Sequence, residues 1–300
     1  MNVRIGDVEI VALCDGEGVF PFGFAAVFPE VQAAELAVWQ PVYPAAFATP
    51  THPPARYGAF LVRAPGATIL VDTGFGSETG PFPPGGGLLA DLASQGVMPA
   101  DVDLVVFSHL HPDHVGQTFE PGGEPVFEHA AYAVAVADWR FFSDPSRAAD
   151  FPWIAPQAGR LAKPRPGGGH FELRLLEGGE ELAPGVTALP APGHTPGHTA
   201  LSVRSGAAEA LLAADAFFHP AQLACPHWVN SADSDPVAAV ATRRALLERV
   251  VDRDVVLATC HFPAPSLGHV RNVAGVPRWF PLGGDGALAG AEDWPPARRR

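Results

Sequence analysis

The sequence predicts an α+β fold in a single domain. Three observations carry this: short apolar runs rich in β-branched residues, one well-capped helical segment, and a set of His and Asp residues that spans both halves of the chain. In the first half, residues 8–14, 57–64, 68–72 and 102–107 have the composition of buried or half-buried strands. Residues 88–93 read as a helix that ends near Gly96. In the second half, the apolar runs 186–189, 210–214 and 255–260 each end where a loop begins. Residues 236–250 read as a helix, with Ser234 and Asp235 as caps and Pro236 in the first turn, where a missing N–H costs nothing. A chain of 300 residues has room for two domains, but the candidate site residues run from 109 to 261 and tie both halves into one unit, 1–300.

The site residues begin with His109, Leu110, His111, Pro112, Asp113 and His114, directly after the run 102–107. No packing demand calls for three imidazoles and a carboxylate in six residues, so the run reads as a metal site. In a tight turn His109 and His111 point toward one position while Asp113 and His114 reach a second beside it. Six residues cannot close two coordination spheres, so further ligands are required downstream at strand ends. His194 in the stretch 191–199, Asp215 after 210–214 and His261 after 255–260 meet that requirement, each where a hydrophobic run gives way to a loop. Taken alone, Asp215 fits a cap or turn as well as a ligand, and a lone His at such a position is an ordinary core or surface residue. The pattern as a whole favours ligands.

With these segments in hand, the chain resembles the metallo-β-lactamase superfamily over most of its length. HLHPDH at 109–114, PGHTPGHT at 192–199, AAD at 213–215 and CHFP at 260–263 stand in that family's order. The resemblance implies a four-layer αββα sandwich with a dinuclear metal site along one edge. It implies that His109, His111 and His194 hold one metal, that Asp113, His114 and His261 hold the other, and that Asp215 bridges them. Asp72 is similar to a buried carboxylate that supports the site, although before Thr73 and Gly74 it also fits a turn. His198 resembles a supporting residue that binds no metal. Within the superfamily the chain is most similar to the methyl parathion hydrolase and quorum-quenching lactonase group. Those lactonases often carry a Tyr three residues after the bridging Asp, and here that residue is Phe218. His219 and His269 are the polar candidates for substrate contact in its place.

Composition narrows the function. With 32 acidic against 19 basic residues and a formal charge of −13, the chain lacks the electrostatic footprint of a nucleic-acid binder. Its one lysine, Lys163, leaves little scope for lysine chemistry. Cys14, Cys225 and Cys260 are too few and scattered for a disulfide framework, and Cys260 reads as a buried strand-end thiol. The first sixteen residues alternate as a strand does and carry Arg4, Asp7 and Glu9, so neither a signal peptide nor a membrane partner is expected, and the expected location is cytoplasmic.

Two proline-rich segments, 20–54 and 139–166, hold many aromatic residues and are expected to cover an apolar pocket; a homodimer interface is the other use for such surfaces. The expected function is therefore a hydrolase of apolar esters or lactones, with organophosphate triesters as a side activity. Two divalent ions, Zn2+ first and Mn2+, Fe2+ or Co2+ as alternatives, would supply a hydroxide that Asp113 or Asp215 orients as catalytic residues. An iron-dependent oxidoreductase or dioxygenase of the same fold and a noncatalytic metal-binding protein are the alternatives.

Overall fold

A computed structural model describes residues 1–77, 79–147, 160–161 and 172–283. They build two seven-stranded sheets, one from each half of the chain. The first runs in chain order through β1 (Asn2–Ile5), β2 (Val8–Val19), β3 (Pro54–Ala64), β4 (Ala67–Val71), β5 (Leu104–Val106), β6 (Ala131–Ala135) and β7 (Leu173–Leu176). The second runs through β8 (Glu181–Ala183), β9 (Val186–Pro190), β10 (Thr199–Ser205), β11 (Ala208–Leu212), β12 (Val255–Ala258), β13 (Leu267–Val273) and β14 (Val276–Pro281). β1 to β4 pair antiparallel and β4 to β7 parallel. In the second sheet only β11 and β12 pair parallel.

Period-two alternation explains the layering. On β5, Leu104 and Val106 enter the core between the sheets while Val105 enters the outer core, so an unbroken apolar run is buried on both faces. Ile10, Val62, Val203 and Leu212 join the central layer from both sheets. Helix Leu88–Ser94 covers the outside of the first sheet through Leu88 and Leu92, and helix Val136–Ser143 does so through Phe142. Helix Pro236–Val250 covers the second sheet through Leu246, Leu247 and Val250. Its first turn is closed by Asp235, whose Oδ1 accepts the N–H groups of Val237 and Ala238. The result is the αββα sandwich. Among the described residues no helix is long and apolar enough to cross a membrane.

The aromatic segment 20–54 divides its side chains in a way that composition conceals. Phe24, Phe28, Trp39, Tyr43 and Phe47 are buried in the outer core of the second sheet. Phe20 and Phe22 turn toward a cleft instead. In the second segment, Trp139, Phe141 and Phe142 pack on the first sheet, and residues 148–159 and 162–166 lie outside the described residues. Among the described aromatic residues of the two segments, Phe20 and Phe22 line the cleft, and Phe24, Phe28, Trp39, Tyr43, Phe47, Trp139, Phe141 and Phe142 pack in or against the cores.

His219 fastens this arrangement. Its Nε2 donates to the Ala46 carbonyl at 3.2 Å, its Nδ1 accepts the Ala221 N–H at 3.1 Å, and Phe24, Phe28 and Phe47 present ring edges around it. Both nitrogens are satisfied in the neutral form, and burial pushes the pKa down to about 3. A depressed folded pKa means that acid favours the unfolded chain, which binds a proton the folded ring refuses; stability is lost as pH falls from about 6.5 toward 3. His219→Gln should flatten this loss. Between about pH 7.5 and pH 5.5 the urea-unfolding free energy of the variant should fall by about 1 kcal/mol less than that of the wild type.

Candidate metal centre

β4, β5, β9, β11 and β12 end along one edge of the sandwich, and each delivers a site residue just beyond its last paired position. After β5 the chain turns through His109 to His111, which stands before the short helical turn Pro112–Val115. That turn offers Asp113 and His114 on its first coil. His194 follows β9, Asp215 follows β11 within the turn Ala214–Ala216, and His261 follows β12.

The seven side chains meet. His111 Nδ1 lies 3.0 Å from both His109 Nε2 and His194 Nε2. On the other side His114 Nε2 and His261 Nε2 stand 3.6 and 3.5 Å from Asp113 Oδ2. Asp215 sits between the groups: Oδ2 is 2.9 Å from His261 Nε2, 3.5 Å from His194 Nε2 and 3.9 Å from His109 Nε2, and Oδ1 is 3.3 Å from His114 Nε2. Three sets, His109 with His111 and His194, His109 with His114 and Asp215, and Asp113 with His114 and His261, are each compact enough to hold one ion.

The partners on the far side of each ring decide whether cations fit. His114 Nδ1 donates to Asp72 Oδ2 at 2.8 Å, His194 Nδ1 to Asp233 Oδ1 at 3.1 Å, and His261 Nδ1 to the Arg56 carbonyl at 2.8 Å. Ser108 Oγ donates to Asp72 and so receives the Nδ1–H of His109 at 3.0 Å. With its one N–H spent outward in this way, the neutral form of each of these four imidazoles aims an Nε2 lone pair inward, at the other rings and at carboxylate oxygens. Buried His114 Nε2 and Asp215 Oδ1 face each other without a hydrogen-bond partner. Acceptor against acceptor in a buried site calls for positive charge between them, and this donor set fits divalent ions.

The proton affinities follow the same division. Burial, reinforced by His114 and His111, holds His109 well below the ordinary histidine range, and burial with His194 does so for His111. Burial also opposes a charge on His114, but Asp215, Asp113 and Asp72 outweigh it and raise its pKa well above the usual value. His261 is raised against burial by Asp215. Asp215, despite burial, is held well below the carboxylate range by His261 and His114.

Of the residues that support the site, Asp72 and His198 stand where the resemblance implied, whereas Asp138 and Asp233 are not evident from sequence. Asp72 has a backbone φ of 64° in the left-handed region, so it turns the chain, and its carboxylate also takes the Ser108 N–H at 2.7 Å beside His114. The two readings of Asp72 are both true. His198 Nε2 accepts the Asp215 N–H at 3.2 Å and so fixes the backbone of the central carboxylate. Asp138 accepts from Thr195 Oγ1 at 2.8 Å and from the Gly197 N–H at 2.5 Å, and burial pushes its carboxyl up to about 6. In the acidic turn 233–235, capping belongs to Asp235 alone. Asp233 is buried and bridges His194 to Arg243, whose Nη1 and Nη2 both lie 3.2 Å from its Oδ2. Cys260, its thiol raised to about 12 by burial, lies 3.8 Å from Asp72.

A cleft of about 530 Å³ opens over the cluster, walled by Phe20, Phe22, Phe75, Phe82 and Phe218, with His111, Asp113, His194, Asp215 and His261 at its floor. Phe218 packs on the His261 ring at 4.9 Å. The other two substrate candidates lie elsewhere. His219 is enclosed behind Phe218, and His269 sits on β13 with Nδ1 donating to the Val255 carbonyl at 3.1 Å; neither lines the cleft. Sequence distance from a ligand says nothing about which way a strand or turn aims the side chain.

Asp233→Asn provides a test of the outer support. It leaves His194 without its anionic partner and Arg243 buried without a counter-charge, so affinity for a divalent ion, read by competition with a chelator, should fall about 10- to 100-fold.

The profile of the Metallo-beta-lactamase superfamily matches residues 58–261, more than half of the chain. Metallo-beta-lactamase domain-containing protein 1 of Xenopus laevis is 34% identical over 131 residues, which are 43% of this chain and 51% of that protein. The chain thus spans about half of that relative's length. The N-acyl homoserine lactonase AttM of Rhizobium radiobacter is 28% identical over 232 residues, 68% of this chain and 81% of that protein. Among solved structures, AidC, a dizinc quorum-quenching lactonase in complex with a product N-hexanoyl-L-homoserine, superposes with a TM-score of 0.79 at 24% identity, covering 94% of this chain and 96% of that one. AidC shares the fold. By its profile match, its two-sheet architecture and the His and Asp residues at the sheet edge, the chain belongs to the metallo-beta-lactamase superfamily.

Proposed function

We propose that this chain is a single-domain, dinuclear metal-dependent hydrolase of neutral, apolar esters or lactones, with phosphotriesters as a second class of electrophile. The observation that carries the reading is the convergence of inward-facing ring nitrogens and carboxylate oxygens on the floor of an aromatic cleft. AttM, named as an N-acyl homoserine lactonase, supports a lactone with an apolar acyl chain as the substrate class.

In this reading His109, His111 and His194 would hold one ion and Asp113, His114 and His261 the other, with Asp215 between them. Zinc suits the imidazole and carboxylate set, as do manganese, iron and cobalt. When bound, such a pair brings the acidity of water toward a pKa of about 7 and polarises a carbonyl or phosphoryl oxygen. The chain's own residues do the rest. The phenylalanine walls take up the apolar part of the substrate and exclude water from the floor. Phe218 carries no hydroxyl, so it contributes surface and no hydrogen bond to a carbonyl. Asp113, a fifth exposed at the floor, orients the attacking water and passes its proton toward the leaving group, and Asp215 fixes the relative positions of the two ligand groups. An apolar cleft in an acidic chain disfavours highly anionic substrates.

Elemental analysis of protein purified without chelator or affinity tag should find close to two ions per chain. Hydrolysis of an aryl ester, an N-acyl homoserine lactone or a phosphotriester should be lost to chelator and restored by zinc. Asp215→Ala should keep the far-ultraviolet circular dichroism of the wild type, bind less metal and lose more than about 100-fold of the activity. Full activity in that variant, or no turnover of any substrate by metal-loaded wild type, would overturn the reading; one iron per chain would redirect it to oxygen chemistry.

A further inference from the structure

Asp15 lies outside the ligand set, and its surroundings are unusual for a carboxylate within a strand. β2 carries a bulge there: Cys14 pairs with Gly58 and Gly16 pairs with Tyr57, so Asp15 has no partner on β3 and its side chain is free to turn off the sheet. It is buried, at 2% exposure. Oδ2 accepts the N–H groups of Phe75 and Gly76, both at 2.8 Å, and Oδ1 accepts those of Gly86 at 2.8 Å and Leu88 at 3.1 Å. Gln117 Nε2 also donates to Oδ1, and the Asp15 carbonyl takes the Gly87 N–H at 2.7 Å. Glycines crowd the carboxylate because nothing larger fits: a Cβ on Gly85 would lie 2.1 Å from Oδ2, and one on Gly74 would lie 2.8 Å from it.

One side chain therefore ties together both ends of the segment between β4 and helix Leu88–Ser94. Between those ends, Phe82 meets Phe20, Phe22 and Phe75 at ring distances of 5.4 to 5.8 Å, and Phe75 and Phe82 form part of the cleft wall. The same ends are joined to the ligand turn, through Gly116 N–H to the Gly74 carbonyl at 2.8 Å and Thr73 N–H to the His114 carbonyl at 2.7 Å.

We propose that Asp15 is the positioning residue of the substrate cleft: by gathering the backbone N–H groups at 75–76 and 86–88 it sets where Phe75 and Phe82 stand, and so sets the preference for long apolar substrates. As a statement about substrate preference this rests on the hydrolase reading; as a statement about the cleft wall it stands without it. Asp15→Asn keeps the shape of the side chain but turns an amide NH2 toward two of the four backbone donors, which releases one end of the segment.

The test compares wild type with Asp15→Asn and with Gly85→Ala, which keeps the carboxylate's charge but forces it or the surrounding backbone to shift. Three measurements are made: amide hydrogen exchange over residues 74–88, the affinity of the neutral apolar dye N-phenyl-1-naphthylamine for the cleft, and kcat and KM for p-nitrophenyl esters from acetate to decanoate. Exchange over 74–88 should quicken in both variants. Dye affinity should fall, and KM for decanoate should rise, by about tenfold, while kcat, KM for acetate and metal content stay within about twofold of wild type. Unchanged exchange and dye binding in both variants would overturn the proposal, as would an equal loss of kcat on every ester with loss of metal, which marks a purely structural role. Should Asp15→Asn fail to fold, Gly85→Ala decides alone. A metal-loaded wild type that cleaves no ester, lactone or phosphotriester would refute the hydrolase reading, and exchange and dye binding would still decide the role of Asp15.

Discussion

The site depends on one constraint: a neutral imidazole has a single N–H, and here that proton is committed outward. Asp72, Asp233, Ser108 and the Arg56 carbonyl each take one, and every proton so taken leaves a lone pair aimed at the centre. The ligand cluster is therefore built from behind. Its outer residues come from β3, the end of β4, the start of the ligand turn and the loop before helix Pro236–Val250, so nearly every layer of the sandwich contributes to the direction of a ring nitrogen. An arrangement of facing acceptors is costly unless positive charge enters it, and the raised proton affinities of His114 and His261 express the same demand.

The sheets make this possible by ending together. Parallel pairing of β4, β5 and β6, and of β11 and β12, carries successive strands back to one edge through crossovers, and loops at that edge can converge from both halves of the chain. Residues far apart in sequence become neighbours there, as with His194 and His111 or His261 and Arg56. The first sheet contributes the dense turn 109–114; the second contributes isolated residues whose role exists only in combination with it.

Much of the candidate site was legible because the residue types that suit a metal stand at strand ends. The turn 109–114 is local and unmistakable, and His194, Asp215 and His261 each follow an apolar run, so their convergence could be expected. The strands at 57–64 and 68–72 and the helix at 236–250 were readable from composition and capping, and they lie within a few residues of the observed elements. Of the outer support, Asp72 and His198 were marked by the family resemblance, and the rest was not readable. Asp233 looks like part of a helix cap beside Asp235, and its partner His194 is 39 positions away. Asp15 looks like any polar residue on an alternating strand, because a bulge leaves no mark in composition. His219 and His269 were misplaced for the same reason: chemistry is carried by the residue, but direction is carried by the backbone. The aromatic segment 20–54 conceals a similar ambiguity, since ring content cannot distinguish a pocket wall from a core.

The way the segment after β4 is anchored also bears on how such a protein diversifies. Its two ends meet at one buried carboxylate, so residues at the tip can be exchanged, lengthened or shortened with little strain passed to β4, β5 or the ligand turn. The tip is thus carried on a base that residues outside it hold. Variation there can explore new ligand shapes while the ligand cluster stays where the sheets have put it.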